Sequence, residues 1–522
     1  MFATIPDILA EAVKRDGAST AVIMEGRSLS FAALNCLSSR IANALVSTGL
    51  KRRDRVALCL DKQPLSVACL YGIMKAGGIA VPLDPNGPPG RLAHIVADSG
   101  AKIILTSGTK AVRLAQVLSG CSATTVLLAD DSPTDDLNVD HLRVLDHKVI
   151  SAQSDIAPGI PIQGQDIACL LYTSGSTGGP KGVMINHSAV GFFADFASRY
   201  FGLMPDDILS CHAPLHFDLT LFDLYAGHAA GAAVCLVPQG MGFMAGDLLD
   251  YIDVQKITVW QSVPSVLRLL AKQMKGGEFG TVRLVVFAGE PYPRDELAAL
   301  MALAPDTFFF NVYGSTEIND VSCYPVPRPL PEGVLPIGKP WGLAELLLLD
   351  DDRQELTGPD ATGELWVRGP TVSPGYWNDP TRTAERFVQN PAHALYRDVV
   401  YRTGDRAWRD ADRHYHFVGR TDFLVKIRGN RVNPGEVEEA LLRHQSIEAA
   451  AVTAIDDQAG NVSLSAFVTV RPDATLSDRQ LRRHCSGYLP NYMVPQRFSV
   501  LETLPRTSTG KVDRQALKQL SD

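Results

Sequence analysis

The N-terminal part of the chain alternates short apolar runs with segments of helical periodicity. Between residues 5 and 50, apolar residues recur at helical spacing, as at Leu34, Ile41 and Leu45. The apolar runs that follow are RVALCL, AKIILT and TTVLLA, at residues 55–60, 101–106 and 124–129. Strands separated by helices build parallel sheets, because each helix carries the chain back to start the next strand in the same direction. The pattern therefore predicts an α/β fold.

Two later regions differ from this pattern. From about residue 330 the chain is rich in Pro and Gly, and strings such as ELLLLDDD and GELWVRGP indicate strands joined by tight turns. The residues after 421 contain helix and strand patterns of their own, such as EVEEALLRH and SLSAFVTV. We therefore expect an N-terminal core of stacked α/β subdomains over residues 1–421, with a β-rich subdomain at about 330–421. A small α+β domain is expected over residues 422–522.

The charge balance and the N-terminus limit the possible partners. The chain has 49 Lys and Arg against 57 Asp and Glu, a net charge of -8, whereas nucleic-acid binders need clustered positive charge. The N-terminus lacks the features of an export signal, and the apolar runs are shorter than the ~20 residues that span a bilayer. We expect a cytoplasmic protein that binds neither nucleic acid nor a membrane. The nine scattered cysteines contain no C-x-x-C pair, which favours reduced, buried thiols.

The string LLYTSGSTGGPKGV, residues 170–183, continues an apolar run and gathers glycines and hydroxyl residues around Lys181. Glycines let the backbone approach an anion, hydroxyls and N–H groups donate hydrogen bonds to it, and the lysine adds a positive charge. The loop is not a Walker loop, because Pro180 precedes the lysine and Gly182 follows it. Composition alone would also fit a flexible Gly/Ser turn. The order of the residues favours a phosphate-binding loop.

The string YTSGSTGGPKGV resembles the signature loop of the adenylate-forming superfamily, which includes acyl-CoA synthetases, firefly luciferase and the adenylation domains of non-ribosomal peptide synthetases. Other strings resemble motifs of the peptide-synthetase branch in the expected order: KAGGIAVPLDP (75–85), HFDLTLFDL (216–224), NVYGSTE (311–317), GELWVRGPTVSPGYWNDPTRTAERF (363–387), YRTGD (401–405), GRTDFLVKIRGNRVNPGEVE (419–438), LPNYMVP (489–495) and LPRTSTGKVDR (504–514). The resemblance covers essentially the whole chain. It implies a large N-terminal part, a small mobile C-terminal domain, and an ATP-dependent ligase that makes an acyl adenylate and transfers the acyl group to a thiol.

The resemblance implies roles for residues around ATP and Mg²⁺. Lys511 matches the lysine that bridges the substrate carboxylate and the phosphate during adenylation; without the motif it would be read as a solvated surface lysine. Glu317 matches the acid that places Mg²⁺, and Thr316 matches a hydroxyl that contacts the α-phosphate. Asp405 matches the carboxylate that binds both ribose hydroxyls, although it could also belong to an ordinary ion pair. The other expected nucleotide-binding residues are Thr173, Ser174, Gly175, Ser176, Thr177, Lys181, Tyr313, Gly314 and Arg420.

The small domain of the family rotates between adenylation and thiol transfer. Asp422 matches the hinge position, and Lys426 and Gly429 would approach the site in the transfer state. Two residues depart from the usual family pattern, Ser315 where Pro is more common and Pro434 where Leu is more common. Proline is compatible with the first turn of a helix, because the N–H that it lacks has no partner there.

Asp218, in HFDLTLFDL, matches the acid that binds the α-ammonium of an amino-acid substrate. The same residue could instead be the N-cap of the helix that follows. Because ligases for fatty and aryl acids generally do not need this acid, it favours amino acids. By motif alignment the side-chain pocket would be lined by Leu219, Phe222, Gln261, Val286, Ala288, Gly289, Val312, Asp320 and Val321.

This mostly apolar lining suits a small or medium side chain, and HAPLHFDL resembles free-standing ligases that load proline or similar amino acids. Asp320 complicates the choice, because an acid in an apolar pocket must bind a cationic or hydroxylated side chain, pair with a neighbour, or face solvent. His212 and His216 have a spacing that can bind a metal, but Pro214 between them disfavours the helix that this would need. We interpret His216 and Phe217 as a gate and a wall of the pocket.

The leading hypothesis is a free-standing ligase of non-ribosomal peptide and secondary-metabolite synthesis. The chain ends soon after Lys511 and has no condensation-type H-H-x-x-x-D-G string, so we expect the acceptor to be the phosphopantetheine thiol of a separate carrier protein. A second hypothesis is an acyl-CoA ligase for an aryl or aliphatic acid. A third is a catalytically idle scaffold relative, against which the presence of Lys511, Glu317 and Asp405 argues.

Replacement of Lys511 by Ala should separate the two half-reactions. We expect the variant to lose adenylation, measured as exchange of labelled pyrophosphate into ATP, and largely to keep thioester formation from supplied adenylate, because this lysine leaves the site between the steps. Loss of both half-reactions together would contradict the role given to Lys511.

Overall fold

The computed structural model describes all residues except 116–122, 124, 133–141, 175–178, 242–244, 278, 421–423, 457–461, 472–475, 506–511 and 521–522. The chain divides into two compact units. One comprises Met1–Pro85, Val96–Leu171 and Gly182–Gly419, and the other gathers Asn86–Ile95, Tyr172–Lys181 and Arg420–Asp522. The domain boundary at 421/422 that the sequence predicts lies outside the described residues and stays a prediction.

The helices of the described residues are α1 Ile5–Asp16, α2 Phe31–Ser47, α3 Pro64–Lys75, α4 Pro89–Ser99, α5 Gly108–Ala115, α6 Lys148–Ser151, α7 His187–Tyr200, α8 Gly227–Ala230, α9 Ala245–Val254, α10 Pro264–Ala271, α11 Arg294–Leu303, α12 Pro380–Arg386, α13 Pro434–Leu442, α14 Asp478–Ser486 and α15 Arg514–Gln519. A π-helix spans Leu221–Ala226, and a short 3₁₀-helix spans Asn491–Met493.

The strands are β1 Thr20–Met24, β2 Arg27–Ser30, β3 Arg55–Cys59, β4 Ile79–Pro82, β5 Ile103–Thr106, β6 Thr125–Leu128, β7 Arg143–Leu145, β8 Ile167–Thr173, β9 Lys181–Asn186, β10 Ile208–Cys211, β11 Ala233–Leu236, β12 Val259–Ser262, β13 Leu284–Ala288, β14 Phe308–Ser315, β15 Asn319–Pro325, β16 Lys339–Pro340, β17 Glu345–Leu349, β18 Thr362–Arg368, β19 Phe387–Gln389, β20 Val399–Arg409, β21 Tyr415–Arg420, β22 Val425–Ile427, β23 Asn430–Val432, β24 Ile447–Asp456, β25 Val462–Val470 and β26 Arg497–Val500.

Two large sheets confirm the predicted α/β class. A seven-stranded sheet has the order β7-β6-β5-β3-β4-β8-β9, and a nine-stranded sheet has the order β16-β15-β14-β13-β12-β10-β11-β1-β2. The three apolar runs predicted as strands correspond to β3, β5 and β6, which pair in parallel. Every residue of β4, β5 and β6 is buried. Uninterrupted burial of this kind is typical of parallel strands that are covered on both faces.

The nine-stranded sheet separates two apolar cores. Val286 and Ala288 of β13 belong to one core, while the alternate residues Val285 and Phe287 belong to the other. Successive side chains of a strand point to opposite faces, so one strand contributes to both cores. The core that contains Val286 and Ala288 also contains most of the predicted pocket residues, which locates the candidate site on that face.

The smaller sheets lie in the later part of the chain. Strands β17, β18, β20 and β19 pair in that order with β21 added on β20, inside the predicted β-rich region, and the C-terminal segment carries β22-β23 and β24-β25-β26. Helix α13 begins at Pro434 with Asn433 as its N-cap, which confirms that this proline occupies a first turn. The eight described cysteines are free, and seven are buried. Within the described ranges, no helix combines the length and the apolar character needed to cross a membrane.

The hairpin between β14 and β15 holds part of the string NVYGSTE. Gly314 pairs with Asp320, and Ser315 with Asn319, so that three residues form the turn. A Cβ atom at Gly314 would lie 1.9 Å from the backbone oxygen of Asn319. Asn319 itself has a φ of 58°, in the left-handed region that asparagine tolerates better than most residues. The close approach of the two strands therefore requires glycine at position 314.

Replacement of Gly314 by Ala should lower stability, because the hairpin must open to admit the methyl group. We expect a loss of about 2 kcal/mol or more in the free energy of unfolding, measured by denaturant titration. A methyl group added at Gly246 in α9 would meet no atom within 4 Å, so Gly246→Ala should leave stability unchanged or slightly raised. Equal effects of the two substitutions would contradict this account of the hairpin.

Candidate active site

The strands of the nine-stranded sheet bring four predicted pocket residues together. Gln261 of β12 pairs with Val286 of β13, and Ala288 of β13 pairs with Val312 of β14. Paired residues of neighbouring strands share a face, and Val286 and Ala288 are two apart on one strand, so all four lie on the same face. They lie at or near the carboxyl ends of parallel strands, which is where α/β sheets bind their ligands.

Further predicted pocket residues lie in the same core. Phe222 of the π-helix and Val321 of β15 are buried members of it, and Leu219 packs against it. Gly289, directly after β13, has a φ of 94°. Val321 is a β-bulge, because Tyr313 pairs with Ser322 and Gly314 with Asp320. A bulge interrupts the alternation of side chains, so the neighbours Asp320 and Val321 need not point to opposite faces.

The predicted ammonium-binding residue contacts the predicted phosphate-binding hydroxyl. Asp218 lies in a turn between β10 and the π-helix, and the carboxylate accepts a hydrogen bond from the hydroxyl of Thr316 at 2.5 Å. The N-cap position of the π-helix is occupied by Thr220, so Asp218 lies two residues before it and not at the cap. An α-amino acid carries its ammonium and carboxylate on one carbon. Groups that bind the ammonium and the reacting phosphate must therefore be neighbours, as these two residues are.

A second hydroxyl and carboxylate pair joins two predicted nucleotide-binding residues. The hydroxyl of Tyr313, on β14, donates to Oδ2 of Asp405, on β20, at 2.5 Å. The backbone N–H of Asp405 donates to the hydroxyl of Thr403 at 2.9 Å, and that hydroxyl donates to the carbonyl oxygen of Leu365 at 2.6 Å. Asp405 is 6% exposed. Tyr313 therefore orients the carboxylate, while Thr403 and Leu365 fix the backbone that carries it.

A third pair includes a residue to which the sequence analysis gave no role. The hydroxyl of Tyr376 donates to Oε1 of Glu317 at 2.9 Å, and the backbone N–H of Ser373 donates to the backbone oxygen of Glu317 at 2.8 Å. Glu317 is fully buried, and Tyr376 nearly so. Tyr376 is part of the motif-like string GYWNDP, but the sequence does not show that this aromatic residue reaches the turn after β14. One indication of a role for Tyr376 was present in the sequence: it lies in a string that matches a family motif, although no partner could be assigned to it.

Tyr172–Lys181, which includes most of the predicted phosphate-binding loop, lies in the unit that contains Arg420–Asp522. The hydroxyl of Ser174 donates to the carbonyl oxygen of Arg431, and Lys181 is 8% exposed. The hydroxyl of Thr173 is buried and has no hydrogen-bond partner among the described residues. Arg420 ends β21. The predicted residues Gly175, Ser176, Thr177, Asp422 and Lys511 lie outside the described residues.

The two histidines near Asp218 do not suggest a metal site. His212 and His216 lie in the connection between β10 and the π-helix, as Pro214 indicates, and not on a common helix. Burial, together with a smaller effect of the charge of Lys62, lowers the pKa of His212 to about 4. Among the described residues, no group of three or more His, Cys, Asp or Glu could hold a metal ion. The rings of His216 and Phe217 lie 4.7 Å apart.

Replacement of Tyr376 by Phe should reduce stability, because it removes the hydroxyl partner of a buried carboxylate. We expect a loss of about 1–3 kcal/mol in the free energy of unfolding. The matched control is Tyr292→Phe: this tyrosine is also buried, but its hydroxyl has no hydrogen-bond partner within the described ranges. Denaturant titration of both variants should therefore show a clear loss only for Tyr376→Phe, and similar losses would contradict the interpretation.

Comparison with known proteins identifies the family of the chain. A model of the family described as AMP-binding enzyme matches residues 9–377, and one described as AMP-binding enzyme C-terminal domain matches residues 436–511. The L-proline--[L-prolyl-carrier protein] ligase of Pseudomonas fluorescens is 35% identical over 510 residues, covering 95% of both chains. The enzyme of the same description from Streptomyces coelicolor is 35% identical over 491 residues, covering 91% of this chain and 89% of its own.

Among solved structures, NpsA-ThdA, an artificially fused adenylation-PCP di-domain NRPS from Klebsiella oxytoca, is similar to this chain. It superposes with a TM-score of 0.82 at 25% identity, covering 96% of this chain and 94% of that one. The chain therefore belongs to the family of AMP-binding enzymes.

Proposed function

We propose that the protein is an ATP-dependent ligase that activates an amino acid as aminoacyl-AMP and transfers it to the phosphopantetheine thiol of a separate carrier protein. The observation that carries this proposal is the hydrogen bond between Thr316 and Asp218, beside residues that are predicted to line a mainly apolar pocket. That lining suits a small or medium side chain. Two relatives, matched over 95% and 89% of their lengths, are named as prolyl-carrier protein ligases, which makes proline the first amino acid to test.

In the adenylation step a carboxylate oxygen of the amino acid forms a bond to the α-phosphorus of ATP. The bond from that phosphorus to the oxygen bridging it to the β-phosphate breaks, and pyrophosphate leaves. Asp218 would bind the α-ammonium, which replaces the Thr316 hydroxyl as the partner of this carboxylate. The hydroxyl of Thr316 would then donate to an oxygen of the α-phosphate. Both reactants are held next to each other, which removes much of the entropic barrier to their reaction.

The remaining site residues would hold the nucleotide. Tyr313 orients Asp405 through one oxygen, and a carboxylate offers the two acceptor oxygens that binding of both ribose hydroxyls requires. Lys181 would place a positive charge near the phosphates, and Lys511 would enter for the adenylation step. The resemblance to the family motifs supports these roles, and the hydrogen bond from Tyr313 supports that of Asp405.

Mg²⁺ fits the chemistry of the donors present. This ion is commonly bound by one or two carboxylates together with substrate phosphate oxygens. Glu317 provides a carboxylate next to Thr316, and Tyr376 orients one of its oxygens. When bound with ATP, the ion supplies positive charge that offsets the charge of the phosphates.

In the transfer step the thiolate of the carrier attacks the carbonyl carbon of aminoacyl-AMP. A carbon–sulfur bond forms, the bond from that carbon to the phosphate oxygen breaks, and AMP leaves. The thiol proton passes to solvent. Rotation of the small domain about Asp422 would remove Lys511 from the site between the steps and bring Lys426 and Gly429 nearer to it.

A panel of amino, aryl and fatty acids tested in pyrophosphate–ATP exchange distinguishes this function from that of an acyl-CoA ligase. We expect much faster exchange with proline or another amino acid of small or medium size than with the fatty and aryl acids. If only fatty or aryl acids supported exchange, the assignment of Asp218 would fail. If no acid supported exchange, the protein would be a scaffold relative.

Replacement of Asp218 by Asn should lower kcat/KM for the amino acid about 100-fold or more, because the ammonium loses its charged partner. Asp247, an exposed residue in the first turn of α9, provides a control that makes the same chemical change. Asp247→Asn should leave exchange unchanged. Full activity of the Asp218→Asn protein would rule out the ammonium role.

A further inference from the structure

A buried lysine is bonded to the backbone just before the turn that carries Asp218. Lys62 follows β3 and is 6% exposed. Its ammonium donates to the carbonyl oxygens of Cys211, His212 and Ala213, at 2.7, 2.8 and 3.2 Å. An ammonium has three protons, so the three consecutive carbonyl groups satisfy all of them. The end of β10 is therefore tied to the loop after β3.

The other end of the same turn is bonded to buried polar side chains. With its amide nitrogen facing Asp223, Gln261 donates to Oδ1 of Asp223 at 2.9 Å and to the carbonyl oxygen of Leu219 at 3.0 Å. Asp223 belongs to the π-helix and is 1% exposed. Its Oδ2 has no hydrogen-bond partner in the described part of the chain. Gln261 thus connects β12 to the segment that follows Asp218.

The two bonded ends interact electrostatically. Burial raises the pKa of Asp223 well above its usual range, and the charge of Lys62 opposes that rise. Burial lowers the pKa of Lys62, while Cys211, Asp223 and Cys235 oppose that change. The three carbonyl oxygens stabilise the ammonium form of Lys62 and offset part of the cost of its burial. Loss of its charge would therefore affect both ends of the turn.

The turn that carries Asp218 is only partly buried. Residues 214–219 are all half-buried, whereas Cys211 and Ala213 before them and Thr220 after them are buried. A partly exposed turn of six residues has many accessible conformations unless its ends are fixed. The position of Asp218 therefore depends on the bonds at both ends of the turn, in addition to its hydrogen bond with Thr316.

We propose that Lys62 is a positioning residue for the amino-group site. It fixes the start of the turn through the carbonyl groups of residues 211–213, while Asp223 and Gln261 fix its end, so that Asp218 meets the substrate ammonium in one geometry. This inference rests on the proposed function, because it takes Asp218 as the ammonium-binding residue. By this inference, a residue outside the pocket contributes to the specificity for amino acids.

The test compares acids that differ only in the amino group. Pyrophosphate exchange is measured with L-proline and cyclopentanecarboxylate, with L-valine and 3-methylbutanoate, and with L-alanine and propionate. We expect Lys62→Met, which keeps an unbranched side chain of similar volume, to lower the ratio of kcat/KM between the amino acid and its partner acid about tenfold or more. Most of the change should appear in KM for the amino acid, with KM for ATP little altered.

Lys75 provides a matched control. It is also buried, and its ammonium donates to the backbone and side-chain oxygens of Asn35 and to the hydroxyls of Ser38 and Ser39, all on α2. Lys75→Met also removes a buried ammonium that donates several hydrogen bonds, but this ammonium bonds to α2 and not to residues 211–223. We expect it to lower the thermal midpoint of unfolding without changing the discrimination ratio.

A second variant decides the question if Lys62→Met does not fold. Lys62→Arg keeps the charge, but a planar guanidinium cannot direct its donors to three convergent carbonyl groups as a compact ammonium does. It should also lower the discrimination ratio. An unchanged ratio in the folded Lys62 variant, or an equal fall in Lys75→Met, would overturn the proposal. A wild-type protein without amino-acid-dependent exchange would contradict the proposed function itself, and the inference would fall with it.

Discussion

The parallel pairing of β10, β12, β13 and β14 is the constraint on which the candidate site depends. Strands that run in the same direction end at the same edge, and both faces of the sheet are covered by apolar cores. Polar residues that cannot enter those cores collect at the strand ends and in the turns after them. Asp218 follows β10, and Thr316 and Glu317 follow β14. Their proximity is thus a result of sheet topology, although almost a hundred residues separate the two turns.

The acids of the site share one mode of support. Asp218, Glu317 and Asp405 each accept a hydrogen bond from a hydroxyl group, of Thr316, Tyr376 and Tyr313 respectively. A hydroxyl donor orients a carboxylate without adding a charge of its own. A carboxylate in a fixed orientation can attract a cation and accept hydrogen bonds from hydroxyl donors. Those are the properties that an ammonium group, Mg²⁺ and a ribose require.

The sequence allowed prediction of the elements that depend on local pattern. Apolar runs located β3, β5 and β6, and the place of Pro434 in a first helical turn followed from the geometry of proline. The resemblance to known motifs identified Asp218 and Thr316 as candidate site residues, but it did not predict that they form a hydrogen bond. The bond between Tyr376 and Glu317 joins residues 59 apart in the chain, and no periodicity encodes such a pairing. Lys62 was missed for a related reason, because a lysine in a polar loop is expected to be exposed unless the fold supplies its acceptors.

The β14–β15 hairpin also has a consequence for the redesign of substrate preference. The strands that carry Val312 and Val321 are the same ones that hold the turn with Thr316 and Glu317, and Gly314 leaves no free space between them. A bulkier side chain on either strand would therefore move groups that act on the nucleotide as well as the pocket wall. Val286 and Ala288 lie on β13, which has parallel neighbours on both sides and is not part of that hairpin. Libraries that vary β13 would reshape the pocket with less loss of adenylation chemistry.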